Sequence, residues 1–273
     1  MSLNASEWIR QNGRFCASLR RGGLLLRKIR IPAPAIAGLR IFYFSDLHFR
    51  SDTVWNFPCP PFFRDGASLP DLCPVMEEFP ADIQIFGGDL AADSYLLPGA
   101  FEFLRRLPPA PLKLAVNGNW DLYRRPWIRT EVWRDHYASA GFRLLCNEQL
   151  AWQGITFTGL DDFKTGVPAM PPQTVDATQF HIVLSHNPDG IPATSGAERA
   201  SLALCGHTHG GQWRIPGYGA LITSSVHGKT FEYGIYRNAR TEMEMIVSAG
   251  IGTTWFPSRI FCPPEVLYIE FTS

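Results

Sequence analysis

Leu39-Arg40-Ile41-Phe42-Tyr43-Phe44-Ser45-Asp46-Leu47-His48 runs from an apolar stretch straight into an acid and a histidine. Aromatic and β-branched residues over so short a run predict a buried strand that ends at Ser45-Asp46. The same grammar recurs four times. Asp82-Ile83-Gln84-Ile85-Phe86 ends at Gly87-Gly88-Asp89, and Leu112-Lys113-Leu114-Ala115-Val116 ends at Asn117-Gly118-Asn119. Phe180-His181-Ile182-Val183-Leu184 ends at Ser185-His186, and Leu202-Ala203-Leu204-Cys205 at Gly206-His207-Thr208-His209. Each polar group falls just past the C-terminal end of a strand. In α/β sheets that edge is where ligands bind, because the loops converge there.

Helical patterns lie between these strands. Gly99 to Leu107 places Phe101, Leu104 and Leu107 at spacings of three, one buried face. Thr130 to Ala140 opens with Thr130 before Glu131, which suits a helix start. Strand-like segments return at 220–225, 231–236, 243–248 and 266–271. The expectation is an α/β protein, a four-layer α/β/β/α sandwich of two packed sheets with helices outside. No internal repeat and no dividing linker is visible. Residues 39–273 read as one domain behind a basic segment, 1–38.

The chain has 273 residues, 45% apolar and 18% charged, a globular composition with ample core. Its formal net charge is zero, which gives no global pull toward nucleic acid. Charge is uneven, however. Arg10, Arg14, Arg20, Arg21, Arg27, Lys28 and Arg30 face a single acid, Glu7, within the first 30 residues. Such a front end fits an anionic membrane surface or the solvated face of a basic helix. No stretch approaches the length of a spanning helix, and Arg27 and Lys28 interrupt Leu24-Leu25-Leu26 before it could serve as a signal core. The six cysteines form no CxxC pair and read as reduced thiols of a cytosolic protein, possible contact being with the inner face of a membrane. Between Trp55 and Phe63, Trp55, Phe57, Phe62 and Phe63 are interleaved with Pro58, Pro60 and Pro61. That pattern excludes a regular interior element and fits an apolar lid, or a loop whose rings tuck into the core.

The five strand ends carry Asp46, His48, Asp89, Asn119, His186, His207 and His209. Taken singly, an Asp-x-His or a Gly-Asp is usually a turn, Gly-Asn a hairpin signal, and a strand-end His a hydrogen-bonded structural group. Five in order, behind five apolar runs, point instead to a site for two divalent ions. His207 and His209 alternate in extended chain and so reach one side. Carboxylates, imidazoles and one amide oxygen suit Mn²⁺ first, then Fe or Zn²⁺, better than Ca²⁺. Without a cysteine among them, the motifs argue against a structural thiolate zinc site. Two ions need a bridging anion, and Asp89, after Gly87-Gly88, is placed for that role. Two nearby divalent ions can activate water and clamp a phosphoryl oxygen, so hydrolysis of a phosphate ester or anhydride is the expected chemistry. His136 and His181 read as structural, whereas His227 is a substrate-side candidate.

On these motifs the chain resembles the calcineurin-like metallophosphoesterases. The likeness spans residues 46–209 and continues through Gly210-Gly211-Gln212 and Gly250-Ile251-Gly252-Thr253 to Pro264-Glu265. Ser185-His186-Asn187-Pro188-Asp189 and Gly206-His207-Thr208-His209-Gly210-Gly211-Gln212 mark the small bacterial phosphodiesterase branch, which includes membrane-associated enzymes and one class of UDP-2,3-diacylglucosamine pyrophosphatases. The resemblance implies one metal on Asp46, His48, Asp89 and His209, a second on Asp89, Asn119, His186 and His207, and in-line attack of water on phosphorus.

One position departs from the pattern. The family usually reads Gly-Asn-His-Asp, and here Trp120 replaces the histidine. Indole donates one hydrogen bond but is no general acid. The change favours a leaving group that needs no proton, as in a pyrophosphate. Arg124 and Arg125 are candidates for the missing positive charge, with Asn187 as a further substrate-side residue. The sequence therefore predicts a dinuclear hydrolase of a phosphodiester or pyrophosphate bond. The leading substrate is a lipid-linked one, UDP-2,3-diacylglucosamine, cleaved to a lipid monophosphate and UMP. The rivals are a broad phosphodiesterase on small or nucleotide esters and a non-catalytic metal-binding protein docked at a membrane.

Overall fold

The five strands expected ahead of the polar motifs form, and they end where the motifs begin. The computed structural model describes residues 5–11, 15–21, 23–50, 69–123, 125–172, 179–254 and 258–273. The aromatic stretch 55–63 and Arg124 lie outside these. The first eight described strands are β1 Trp8–Gln11, β2 Phe15–Arg21, β3 Leu24–Pro32, β4 Arg40–Phe44, β5 Ile83–Phe86, β6 Leu112–Ala115, β7 Arg143–Leu144 and β8 Glu148–Trp152. The rest are β9 Ile155–Gly159, β10 Phe180–Leu184, β11 Leu202–Cys205, β12 Arg214–Ile215, β13 Gly219–Ala220, β14 Gly234–Asn238, β15 Glu244–Val247 and β16 Glu265–Thr272. The described α-helices are α1 Cys73–Glu78, α2 Leu97–Arg106, α3 Asn119–Tyr123, α4 Thr130–Ser139 and α5 Gly190–Ala193.

Two seven-stranded sheets form the body. One has the order β2-β3-β16-β4-β5-β6-β7, the other β1-β14-β15-β11-β10-β9-β8, and β12 pairs with β13 apart from both. Strands β4 to β7 run parallel, as do β9, β10, β11 and β15. Short, fully apolar strands suit such positions because both of their faces are covered. One shared core holds Ile41, Ile83, Ile85 and Leu114 of the first sheet with Phe157, Ile182, Leu184 and Ile246 of the second. On the first sheet's other face, Phe44 and Phe86 pack with Met76 of α1, Phe101 of α2 and Trp133 of α4. The second sheet's other face carries Val183, Ala203 and Val247 against Ile191 of α5, Phe231 and Trp8 of β1. The architecture is thus mixed α/β, with its parallel strand ends on two sheets that share a core.

The helix expected over 99–107 is α2, which starts two residues earlier and ends one residue earlier, with Phe101 and Leu104 buried. The helix expected from Thr130 forms as α4. Its N-cap is Arg129, which makes no side-chain cap hydrogen bond, so Thr130 is the first helical residue and not the cap. Of the late strands, 243–248 and 266–271 appear as β15 and β16. The stretch 231–236 shifts to Gly234–Asn238, and of 220–225 only Ala220 is in a strand.

The basic front end behaves differently from the expectation of a separate segment. Among residues 5–38, β1 pairs antiparallel with β14, and β3 runs parallel to β16 from Leu25 opposite Glu265 to Pro32 opposite Thr272. The boundary drawn at residue 38 therefore crosses a sheet. Among the described residues, several cations of this front end are partnered. Arg10 Nη1 donates to Glu232 Oε1 at 2.9 Å, Arg27 pairs with Glu265, and Arg30 with Glu270. The Lys28 ammonium sits 4.3 Å from the centre of the Phe79 ring. The cause is the alternation Ile29-Arg30-Ile31-Pro32, buried then exposed, which gives one wet face and one core face. No helix among the described residues is long and apolar enough to cross a membrane.

Candidate metal centre

The ends of β4, β5 and β6 on one sheet and of β10 and β11 on the other meet at one edge. Backbone bonds tie the loops: Asp46 N donates to Gly88 O at 2.9 Å, and Gly206 N to His186 O at 2.9 Å. Across the two sheets, His207 N donates to Asp46 Oδ1 at 3.0 Å. Two buried groups result, Asp46–His48–His209 and Asp89–His186–His207, each with ligand atoms within 4.8 Å of one another.

One atom joins them. Asp89 Oδ2 lies 3.4 Å from His48 Nε2 in the first group and 3.2 Å from His186 Nε2 in the second. His48 Nε2 and His209 Nε2 stand 3.0 Å apart, and His209 Nε2 is 3.3 Å from Asp46 Oδ1. His207 Nδ1 is 3.2 Å from His186 Nε2. Asn119 lines the cavity over the centre with Asp89 and His207, and its side-chain Oδ1 is buried without a hydrogen-bond partner. A buried amide oxygen left so would be costly, and it is suited to a cation. The donor set of oxygens and imidazole nitrogens, with no thiolate, fits two divalent ions.

The backbone is bent to bring these groups together. Asp46, His48, Asp89, His207 and His209 all have positive φ, between 41° and 69°. Non-glycine residues there carry strain of order 1–3 kcal/mol each and cluster at functional sites. Two glycines are required by contact. Gly88 has φ +93°, and a β-carbon on it would sit 2.6 Å from Gly118 N. On Gly118 it would sit 2.2 Å from Asp89 Oδ1.

The electrostatics follow from burial. Desolvation pushes the Asp46 and Asp89 carboxyls up, with His186 opposing it. Burial holds His48, His207 and His209 well below the usual histidine range, and neighbouring cationic groups add to this. Burial also opposes charge on His186, but the nearby Asp89 and Asp46 carboxylates outweigh it and raise the imidazole to about 10. His186 Nδ1 lies 2.8 Å from Gly87 O, which turns Nε2 toward Asp89.

Beneath the ligands stands Asp121. Its carboxylate accepts from the backbone N–H of Asp89, Leu90 and Gly118, each at 2.9 Å. Burial and the charge of Asp89 raise it to about 6. On the other flank, buried Arg259 Nη2 lies 3.3 Å from His209 Nδ1, and it donates to Ala249 O at 2.8 Å. Neither residue is among the candidates read from sequence, and the contact of Arg259 with His209 joins positions 50 residues apart.

A cavity of about 770 Å³ opens over the centre, lined in part by Asp89, Asn119, Trp120, Lys164, His207 and His209. Trp120 lies there as expected, its ring 5.0 Å from that of His48 and nearly perpendicular to it. The other expected substrate contacts among the described residues do not line it. Arg125 is fully buried and donates to Trp120 O at 3.0 Å and Ala91 O at 3.1 Å, so it braces backbone. Asn187 is buried and accepts from Asp189 N at 2.9 Å. His227 is exposed with its ring against Phe231. His181 is structural, 2.8 Å from Thr158 Oγ1. Lys164, absent from the sequence reading, is carried by a loop whose sequence signals only a turn.

Two buried acid-and-imidazole groups side by side fit a centre for two metal ions. The chain matches no protein-family model. It is 31% identical over 249 residues to the uncharacterized metallophosphoesterase YkuE of Bacillus subtilis, covering 86% of this chain and 80% of that one. It is also 31% identical over 245 residues to the phosphodiesterase YaeI of Escherichia coli, covering 86% and 82%. An uncharacterized metallophosphoesterase of Aquifex aeolicus is 29% identical over 208 residues, 71% of this chain and 74% of that one. The chain belongs to the metallophosphoesterases and is a hydrolase.

Proposed function

We propose that the chain hydrolyses a phosphodiester or phosphoanhydride bond with two divalent ions, manganese first, with iron or zinc as the alternatives. Asp46, His48, Asp89 and His209 would hold one ion, and Asp89, Asn119, His186 and His207 the other. The observation that carries this reading is Asp89 Oδ2, within 3.4 Å of one imidazole of each group. Ions bound there would supply Lewis-acid activation of water and neutralise phosphoryl charge.

The chain's own residues set the leaving group. Trp120 lines the cavity where the wider family has a proton donor, and the indole cannot protonate a departing oxygen. That favours phosphoanhydrides and aryl esters over alkyl diesters. Exposed Tyr123, Leu221 and Ile222 line the same cavity and give it an apolar wall. This wall supports an amphiphilic substrate, with UDP-2,3-diacylglucosamine as the specific candidate and contact with the inner face of a membrane as its setting. The four-layer sandwich belongs to this proposal, supported by the core shared between the sheets. A broader phosphodiesterase is the second reading, favoured by the likeness to the phosphodiesterase YaeI.

The test uses the full chain loaded with Mn²⁺. It would be given UDP-2,3-diacylglucosamine, a nucleoside diphosphate sugar and bis(4-nitrophenyl) phosphate, with UMP and nitrophenol followed. Cleavage of the first well above the others supports the lipid substrate. Fast turnover of the aryl diester alone supports the second reading. No turnover of any by fully loaded protein overturns both.

A further inference from the structure

We propose that Lys164 selects substrates that carry a second negative charge beside the phosphoryl group being cleaved. The inference rests on the phosphoester-hydrolase reading above. Among the described residues lining the cavity, Lys164 is the one lysine or arginine. Asp89 and His207, in the same lining, are buried, whereas Lys164 is exposed at the opening. A phosphoryl group at the metal centre and an anion beside Lys164 would thus occupy one cavity.

The lysine is held there by structure on both sides. Its Nζ donates to Ser224 O at 2.8 Å, and Ser224 Oγ donates to His207 O at 2.9 Å. One residue thus separates the ammonium from a candidate ligand. From below, the fully buried Asp162 accepts from Lys164 N at 2.9 Å, Thr165 N at 2.8 Å and Thr165 Oγ1 at 2.7 Å. The carboxylate fixes the turn that carries the lysine without touching its charge. An ammonium has three donors, and Ser224 O takes one of them.

The other cationic candidates near the site do not serve. Arg125 is spent on the carbonyls of Trp120 and Ala91, and Arg259 on those of Ala249 and Gly252. Trp120 brings no charge. The ligand chemistry that fits is a phosphoanhydride diester, in which each of two adjacent phosphates bears one charge. A simple diester has only the charge that the metal centre already neutralises. A compact ammonium on a flexible stem suits a tetrahedral phosphate, with no demand for the planar geometry of a guanidinium fork.

The experiment compares wild type, Lys164→Met and Lys164→Arg, each as the full chain with metal content verified. Turnover is read on bis(4-nitrophenyl) phosphate, with one charge, and on a nucleoside diphosphate sugar, with two. Lys164→Met is expected to lower kcat/KM at least about tenfold more on the second than on the first, the scale of one charge-assisted hydrogen bond. Lys164→Arg should recover most of that difference. Binding is read separately by calorimetry with inorganic phosphate and inorganic pyrophosphate. Lys164→Met should weaken pyrophosphate by a larger factor than phosphate. Equal losses on both ligands, or no loss on either, overturn the proposal. If wild type cleaves neither substrate, the hydrolase reading fails, and the two binding constants still decide the role of Lys164.

Discussion

The Asp121 carboxylate accepts the backbone N–H of Asp89 at 2.9 Å, so one acid fixes the position of the other. The same group holds Leu90 and Gly118, and thereby locks the β5 and β6 loops at a fixed separation. Asp121→Asn should break this. An amide offers one acceptor oxygen where three N–H groups now point, and its NH₂ faces donors. At least one buried N–H is left unpaired, at a cost of about 1–3 kcal/mol. Urea unfolding of the metal-free variant should show that loss, and metal affinity should fall with it. A variant as stable as wild type, with unchanged metal affinity, would refute the bracing role.

The strands that carry the site were legible because they are short, apolar and buried on both faces, and because Ser45, Gly87, Asn117 and Gly206 mark where they stop. The front strands were not. In Leu24–Pro32 the charges of Arg27, Lys28 and Arg30 hide the alternation, and only pairing with β16 and the acids Glu265 and Glu270 makes it visible. Strand Glu148–Trp152 lies half-exposed at a sheet edge and has no clear period. Among site residues, the ligand motifs could be read because each lies beside a strand end. Arg125 could not, since nothing local separates a solvated arginine from one that caps two carbonyls. The contacts of Arg259 with His209 and of Lys164 with Ser224 join residues 50 and 60 positions apart, beyond any pattern in a single segment.

The metal complement is the direct check on the two groups. Purified protein should carry about two divalent ions. Asp89→Ala should lose most of both, because Asp89 Oδ2 faces His48 and His186 alike. Asn119→Ala should deplete only the ion on the His186 side. Elemental analysis of the three proteins decides this, and full occupancy in Asp89→Ala would sink the assignment of a shared ligand.

Acid stability should depend on His181. Burial holds this imidazole neutral and lowers it to about 4, whereas an unfolded histidine titrates near 6.5. Above about pH 6.5 both states are neutral, and its contribution to stability is full. As pH falls from 6.5 toward 4 the unfolded chain takes the proton first, and stability is lost. Over pH 7 to 4.5 this amounts to about 2.5 kcal/mol. His181→Gln removes the titration while leaving a polar group near Thr158. Its urea midpoint should therefore fall less than that of wild type over that pH range. Parallel pH curves would show that His181 does not control the acid limb.

The replacement at Trp120 makes the sharpest statement about chemistry. Its ring lies 5.0 Å from His48 in the cavity lining, and its backbone N–H donates to Asp89 Oδ1 at 2.8 Å. The side chain is thus beside the reacting region but has no proton to give at neutral pH. If no other side chain supplies one, the rate should depend steeply on how well the leaving oxygen bears charge. Phosphoanhydrides and aryl esters should be cleaved well, and alkyl diesters poorly. Trp120→His should then help alkyl diesters most, by up to roughly 10²–10⁴-fold if the imidazole reaches the leaving oxygen. Aryl esters, which leave without help, should gain little. The measurement is a plot of log kcat against leaving-group pKa for both proteins, under conditions where chemistry limits turnover. A steep wild-type slope that flattens in Trp120→His supports the argument. A wild-type slope near zero would show that another group already delivers the proton, and the preference for an anhydride substrate would lose its chemical basis.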